Sequence, residues 1–226
     1  MGITVCILLS SCVSTATNET VFGEIENKRL EKIKNPTRRR ESKAGLVALK
    51  KALGRRAFCD VVRDEHGKPR FEKNIGIDFN ISHSGSLSLA AVCDGEGNRI
   101  GVDIELVREE RLDSLLRIAE RYFDESEKER FCKSKNVLEF YRLWTAKEAH
   151  AKLLGVGLSK ALGEKKEPSG EIFTSHFLVE HSGEKYILSV STETDEDEEI
   201  EFVFEGDIAV SPFLMEVKNG YKRRSE

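Results

Sequence analysis

The stretch Phe140-Tyr-Arg-Leu-Trp-Thr-Ala-Lys-Glu-Ala-His-Ala-Lys152 is rich in Ala, Leu, Lys and Glu, and no Gly or Pro follows until Gly155. That composition predicts a helix. Trp144, Glu148 and Lys152 recur at every fourth residue. On a helix they stack along one face, with Lys147 beside them. The face carries a carboxylate and an ammonium one turn apart, next to the single tryptophan of the chain. Pairs at this spacing are common on amphipathic helices, and the stretch alone supports no more than that. Two stretches upstream change the reading.

Immediately upstream of the helix, residues 126–131 and 112–119 read as shorter helices, the latter through Leu112, Leu115, Leu116 and Ala119. Before them, Ile100-Gly-Val-Asp-Ile-Glu-Leu106 reads as a strand. Residues 87–93 form another, and the turn Asp94-Gly-Glu-Gly-Asn98 between them predicts a hairpin. Residues 77–81 alternate as a strand and run into Ser82-His-Ser-Gly85. Residues 57–62 read as a strand followed by the turn Asp64-Glu-His-Gly-Lys-Pro69.

A helix over 38–53 stops at Gly54, and its first turn holds Arg38, Arg39 and Arg40. Three cations at a helix start oppose the macrodipole. They are either a solvated cluster or a grip for an anion. Pro36-Thr37 reads as a break, preceded by a helix over 18–34 with Asn18 as its cap. Residues 3–9 read as a buried strand. The Leu9-Ser-Ser-Cys12 that follows imitates a lipoprotein cleavage box, but no Lys or Arg precedes it.

Downstream, Gly155-Val-Gly157 ends the helix and residues 160–170 form a charged loop. Residues 172–179, 186–191, 201–204 and 213–217 read as strands of an antiparallel sheet. The acidic run 193–199 is read as a solvated hairpin turn, and Lys222-Arg-Arg224 as a tail. This order predicts an α+β fold in two halves, residues 1–106 and 107–217, with a tail at 218–226. The halves share no visible sequence identity.

The 226 residues are 39% hydrophobic and 34% charged, with 36 basic against 40 acidic side chains and a net charge of -4. Such a balance gives no general pull toward nucleic acid or membrane. The five cysteines are scattered and form no C-x-x-C. They read as reduced thiols in a cytoplasmic protein.

The chemistry lies in three places. Asp103-Ile-Glu105 puts two carboxylates on one face of a strand. Asn80-Ile-Ser-His-Ser-Gly85 offers hydroxyls, an imidazole and Gly-flanked backbone N–H groups, which suit an anion. The helix adds Glu148 and Lys152. Asp103, Glu105 and Glu148 can hold Mg²⁺ and leave positions open for phosphate oxygens. Lys152, His83, Lys68 and some of Arg38, Arg39 and Arg40 can neutralise a polyphosphate. No Walker A sequence, kinase Gly-rich loop or G-x-G-x-x-G occurs.

Taken in order, these motifs resemble the 4'-phosphopantetheinyl transferases, in particular the larger monomeric type that activates peptide and polyketide synthetases. The resemblance rests on Gly67-Lys-Pro69, Phe79-Asn-Ile-Ser-His-Ser84, Ile100-Gly-Val-Asp-Ile-Glu105 and Trp144-Thr-Ala-Lys-Glu-Ala-His-Ala-Lys152. Arg38-Arg-Arg-Glu-Ser-Lys-Ala-Gly45 looks like the family's basic helix start, although Leu46 stands where many relatives have Arg.

The resemblance implies transfer of the phosphopantetheine arm of coenzyme A to a serine of an apo acyl or peptidyl carrier protein, with release of 3',5'-ADP. It implies Mg²⁺ on Asp103, Glu105 and Glu148, with Glu148 as base, directly or through water, and Lys152 on the phosphates. Ser82, His83 and Lys68 would hold the nucleotide and its 3'-phosphate, helped by Arg38, Arg39 and Arg40. Gly67 and Pro69 would shape the adenine wall. The implied fold is two similar α+β halves related by a pseudo-two-fold, each a small antiparallel sheet with packed helices. Coenzyme A would lie between them in a monomer that needs neither nucleic acid nor membrane. A Mg²⁺-dependent phosphohydrolase acting on coenzyme A is the rival reading. A nucleic-acid-binding module on the two basic clusters is weaker, because few aromatic residues accompany them.

Overall fold

Ile3–Leu9 (β1) is apolar at nearly every position and buried along its length. Such a run suits an inner strand covered on both faces. The computed structural model describes residues 2–13, 22–56, 59–64, 67–155, 172–193 and 199–213, and β1 lies inside a four-stranded sheet.

Helices Glu24–Lys32 (α1) and Pro36–Leu53 (α2) follow. The predicted break at Pro36 is instead the first residue of α2. Proline is pre-set for that position, and the Asn35 side chain caps the helix by accepting from Arg38 N at 3.1 Å. α1 is shorter than predicted, and its proposed cap, Asn18, lies outside the described residues. Short strands Val61–Arg63 (β2) and Pro69–Phe71 (β3) pair with each other. Ile77–Ser84 (β4), Leu87–Asp94 (β5) and Ile100–Leu106 (β6) come next.

Then come helices Leu112–Tyr122 (α3), Glu125–Ser134 (α4) and Val137–Leu154 (α5). Asn136 caps the start of α5 through a bond from Leu138 N at 2.9 Å, and Gly155 closes its end. The last strands are Phe173–His181 (β7), Glu184–Thr192 (β8), Ile200–Phe204 (β9) and Ile208–Pro212 (β10). The final strand lies just upstream of the predicted 213–217, most of which is outside the described residues. Among the described residues no helix is long and apolar enough to cross a membrane.

The sheet orders are β4-β5-β1-β9 and β10-β7-β8-β6. The connectivity repeats. β1, α2 and the hairpin β4–β5 are matched by β6, α5 and the hairpin β7–β8. In each set the second hairpin strand pairs antiparallel with the opening strand. This is the expected α+β fold in two similar halves.

Two pairings differ from expectation. β5 and β6 are not a hairpin: the turn at Gly95 carries the chain from one sheet to the other. Nor do β8 and β9 pair across the acidic run, of which 194–198 lie outside the described residues. β9 instead joins β1 in parallel. β6, which precedes residue 107, thus lies in the sheet of β7, β8 and β10, and β9, which follows it, lies in the sheet of β1, β4 and β5.

Glycines let the helices come close to the strands. A Cβ on Gly101 of β6 would overlap Ala149 O of α5 and approach Leu153 N to 2.5 Å. A Cβ on Gly45 of α2 would overlap the Ile81 side chain of β4. Gly101→Ala should therefore lower stability by about 1–3 kcal/mol, the usual cost of overpacking. The change is read as a lower urea midpoint, and an unchanged midpoint would contradict this packing.

Candidate active site

The halves meet where β6 lies against β4. Every second residue of β4 from Asp78 to Ser84 is polar, and these side chains form a comb along the free edge of β6. Asp78 Oδ2, Asn80 Oδ1, Ser82 Oγ and Ser84 Oγ accept from the N–H groups of Ile100, Val102, Ile104 and Leu106 at 2.9, 3.1, 3.4 and 3.0 Å. The comb satisfies backbone donors that would otherwise be buried unpaired.

The two hydroxyls also orient carboxylates. Ser82 Oγ donates to Asp103 Oδ1 at 2.9 Å, and Ser84 Oγ to Glu105 Oε2 at 2.8 Å. Lys152 comes over from α5. Its Nζ donates to Asp103 Oδ1 at 2.7 Å, Ser82 Oγ at 2.8 Å and Val102 O at 3.1 Å. An ammonium has three protons, so all its donors are engaged. The i,i+4 spacing suggested a Glu148–Lys152 pair, but the ammonium turns to β6 instead.

Glu148 makes no hydrogen bond or ion pair with the described residues. Burial, then the nearby Asp103 charge, push its carboxyl above the ordinary range, against the pull of Lys152. Glu105 is raised by burial first and by Asp103 second, with Glu148 adding a little. Asp103 is 4% exposed, and its Oδ2 is buried with no hydrogen-bond partner. Such an orphaned acceptor is costly unless something binds it. Among the described residues no three acidic, His or Cys side chains form a ready-made metal cage. The carboxylates are in electrostatic reach of one another, with the Lys152 ammonium against Asp103.

In the unfolded chain glutamates titrate near 4.5, and folding raises both Glu105 and Glu148. Their ionisation therefore opposes folding. The penalty is absent below the unfolded value and complete once pH passes the raised folded values. Glu105→Gln should melt above the parent at neutral pH, and the gap should close below about 4.5. A parental melting curve at every pH would show that Glu105 carries no such penalty.

The other predicted residues are more dispersed. Lys68 Nζ lies 3.4 Å from Leu153 O at the end of α5 and 3.6 Å from Asp78 Oδ2. Its loop is held by Arg63, which donates to Gly67 O at 2.7 Å and to the buried Glu26 at 2.9 Å. Pro69 is buried at the start of β3. His83 points away from the comb, is exposed, and has Nδ1 3.7 Å from Glu41 Oε2 of α2. Ser82 is 5% exposed, and its hydroxyl is consumed inside the comb. Arg39 is tied to Ile33 O at 2.7 Å and fastens α1 to α2. Arg38 and Arg40 are exposed. Leu46 sits in the core under α2 at 1% exposure, so its position does not face a ligand. Lys147 pairs with Glu127 at 2.8 Å and ties α5 to α4.

Beside Glu105 is a cavity of about 250 Å³ lined by Leu106, Leu115, Ile118, Phe140, Tyr141 and Trp144, with Arg108 and Glu110. Trp144 is fixed there by edge-on contact with Tyr122 at 5.5 Å. Neither this cavity nor the bond from Ser84 to Glu105 is among the features the sequence predicts. The alternation Asp78, Asn80, Ser82, Ser84 was the visible signal for Ser84.

The sequence model of the 4'-phosphopantetheinyl transferase superfamily matches residues 99–203, which include β6 and α5. The 4'-phosphopantetheinyl transferase AcpT of Salmonella typhi is 32% identical over 136 residues, 59% of this chain and 68% of AcpT. The chain belongs to the 4'-phosphopantetheinyl transferase superfamily. Similarity extends to the 4'-phosphopantetheinyl transferase Sfp of Bacillus subtilis, at 37% over 101 residues, 43% of this chain and 42% of Sfp. It extends also to HetI of Nostoc, another protein named a 4'-phosphopantetheinyl transferase, at 33% over 137 residues, 55% of this chain and 56% of HetI.

Proposed function

We propose that this transferase moves the 4'-phosphopantetheine arm of coenzyme A to a serine hydroxyl of an apo acyl or peptidyl carrier protein and releases 3',5'-ADP. The observation that carries this reading is the meeting of Asp103, Glu105, Glu148 and Lys152 at the junction of the halves, with Asp103 Oδ2 unpaired.

The donor set fits Mg²⁺, a hard cation that takes carboxylate oxygens. Asp103, through Oδ2, with Glu105 and Glu148 would hold it. When bound, it neutralises charge on the pyrophosphate.

Glu148 takes the proton of the incoming serine hydroxyl. The serine oxygen forms a bond to the phosphorus that bears the pantetheine arm. The bond from that phosphorus to the bridging oxygen breaks, and 3',5'-ADP leaves. Lys152 exchanges one of its three internal bonds for a phosphate oxygen.

Ser82 orients Asp103 and Lys152 rather than touching the nucleotide. Lys68, with Gly67 and Pro69, bounds the nucleotide at the end of α5, and His83, helped by Arg38 and Arg40, meets the 3'-phosphate. The cavity beside Glu105, with its aromatic and aliphatic wall and its charged rim of Arg108 and Glu110, takes the pantetheine arm, a chain of methylenes and amides. One chain carries the complete carboxylate and lysine set, so the enzyme acts as a monomer. Its substrates are soluble, which agrees with a cytoplasmic reaction.

Mass spectrometry of apo carriers after incubation with the protein, coenzyme A and Mg²⁺ tests the reading. The carrier should gain one phosphopantetheine group. Release of 3',5'-ADP without a carrier, and no gain on any carrier, would point instead to a phosphohydrolase. For the clamp, His83→Ala should raise KM for coenzyme A far more than for dephospho-coenzyme A. Equal losses would remove His83 from the 3'-phosphate.

A further inference from the structure

Beneath α5 a second line of polar side chains runs through the core. Glu139 is 1% exposed, and Thr145 and Ser189 are fully buried at 0%. Arg142 Nε and Nη2 donate to the two Glu139 oxygens at 2.7 and 2.8 Å. Arg142 Nη1 meets His176 Nε2 at 3.2 Å, and His176 Nδ1 meets Ser189 Oγ at 2.9 Å. Ser189 Oγ meets Thr145 Oγ1 at 2.7 Å, and Thr145 Oγ1 lies 2.8 Å from Tyr141 O.

The donor inventory sets the direction of every proton. A guanidinium only donates, so His176 Nε2 must accept. The ring is then neutral, with its proton on Nδ1. That proton goes to Ser189, the Ser189 proton to Thr145, and the Thr145 proton to the Tyr141 carbonyl. Each hydroxyl gives one bond and takes one. Burial, with the Arg142 charge, lowers the His176 pKa to about 4, which agrees with a neutral ring.

The line is placed against the active site. Strand register puts Asp103 of β6 opposite Ser189 of β8, and Ser189 opposite His176 of β7. Thr145 lies three residues before Glu148 on α5, about one helical turn. The Ser189–Thr145 bond thus fastens the turn before Glu148 to the strand residue beside Asp103. Lys152 fastens the turn after Glu148 to Asp103 itself.

We infer that Thr145, Ser189 and His176 are positioning residues whose one-directional relay holds α5 in register on the sheet and so sets where Glu148 stands relative to Asp103. This rests on the reading above, in which both carboxylates serve the transfer.

Thr145→Val keeps the branched shape and removes the hydroxyl. It should lower kcat by about ten- to 100-fold, the loss expected for a displacement of order 1 Å. KM for coenzyme A should stay near parental, because Lys68 and His83 are untouched, and Thr145→Ser should restore kcat. Nitrogen NMR of the parent should show His176 neutral and protonated at Nδ1. Ser189→Ala, which leaves Thr145 bonded to Tyr141 O, gives the same kcat test should Thr145→Val not fold. A Thr145→Val enzyme with parental kcat and only a lower melting temperature, beside an inactive Glu148→Gln, overturns the relay alone. Parental kcat in both overturns the site reading with it. A proton on Nε2 also overturns the relay.

Discussion

Glu148→Gln should lower kcat for arm transfer at least about 100-fold, within the range ascribed to a positioned general base, while the melting temperature stays at or slightly above that of the parent. A carboxylate that served only to brace α5 would be bound to something. Glu148 is bound to nothing among the described residues, and Lys152, the partner its spacing suggests, gives its protons to Asp103, Ser82 and Val102. Its charge is also unwelcome where it stands, since burial and Asp103 both raise its carboxyl. Gln keeps the size and the helix propensity and removes that penalty. The variant therefore separates chemistry from architecture. Near-parental kcat in a stable Glu148→Gln protein would reduce the helix to an ordinary amphipathic one.

The elements themselves were legible where local physics decides them. β1 was predicted over 3–9 and β6 over 100–106, and the observed strands keep these bounds. α5 closes at Gly155, the stop that Gly155-Val-Gly157 predicts. Pairing was less legible. The turn around Gly95 says that the chain reverses, not which strand it reverses onto. β6 leaves β5 because its free N–H groups find side-chain acceptors on β4, a long-range solution that no turn signal encodes. The same comb explains what was missed in the site. Ser82 and Ser84 in Asn80-Ile-Ser-His-Ser84 were read as facing an anion, whereas their hydroxyls face the carboxylates of β6. Among the three arginines, Arg39 is spent on the α1 carbonyls, which charge patterning cannot reveal. Leu46, which stands where the family often has Arg, proved to be a core residue.

Asp103→Asn should abolish most transfer, again by at least about 100-fold if a hard-oxygen ligand is lost, and it should leave a signature on its neighbours. Asp103 Oδ1 is occupied by Ser82 and Lys152, while Oδ2 is buried and bare. An asparagine carbonyl can go on accepting from Lys152 and Ser82. Its NH₂ then falls where Oδ2 was, and nitrogen with two protons cannot serve as a ligand to a hard cation. The Asp103 charge also helps to raise the carboxyls of both Glu105 and Glu148. Removing it should let both titrate lower, toward the ordinary range, in the Mg²⁺-free protein, a change that an NMR titration of the two carboxyl groups reads. Mg²⁺ should raise the melting temperature of the parent and leave that of Asp103→Asn almost unchanged, a readout independent of turnover. Folding should survive, because Lys152 keeps its bonds to Ser82 and Val102 O, and Glu105 and Glu148 lie near enough to balance its charge. Parental turnover of Asp103→Asn at saturating Mg²⁺, with the Mg²⁺-dependent rise in melting temperature intact, would take the metal away from Asp103 and leave it as the counter-ion of Lys152 alone.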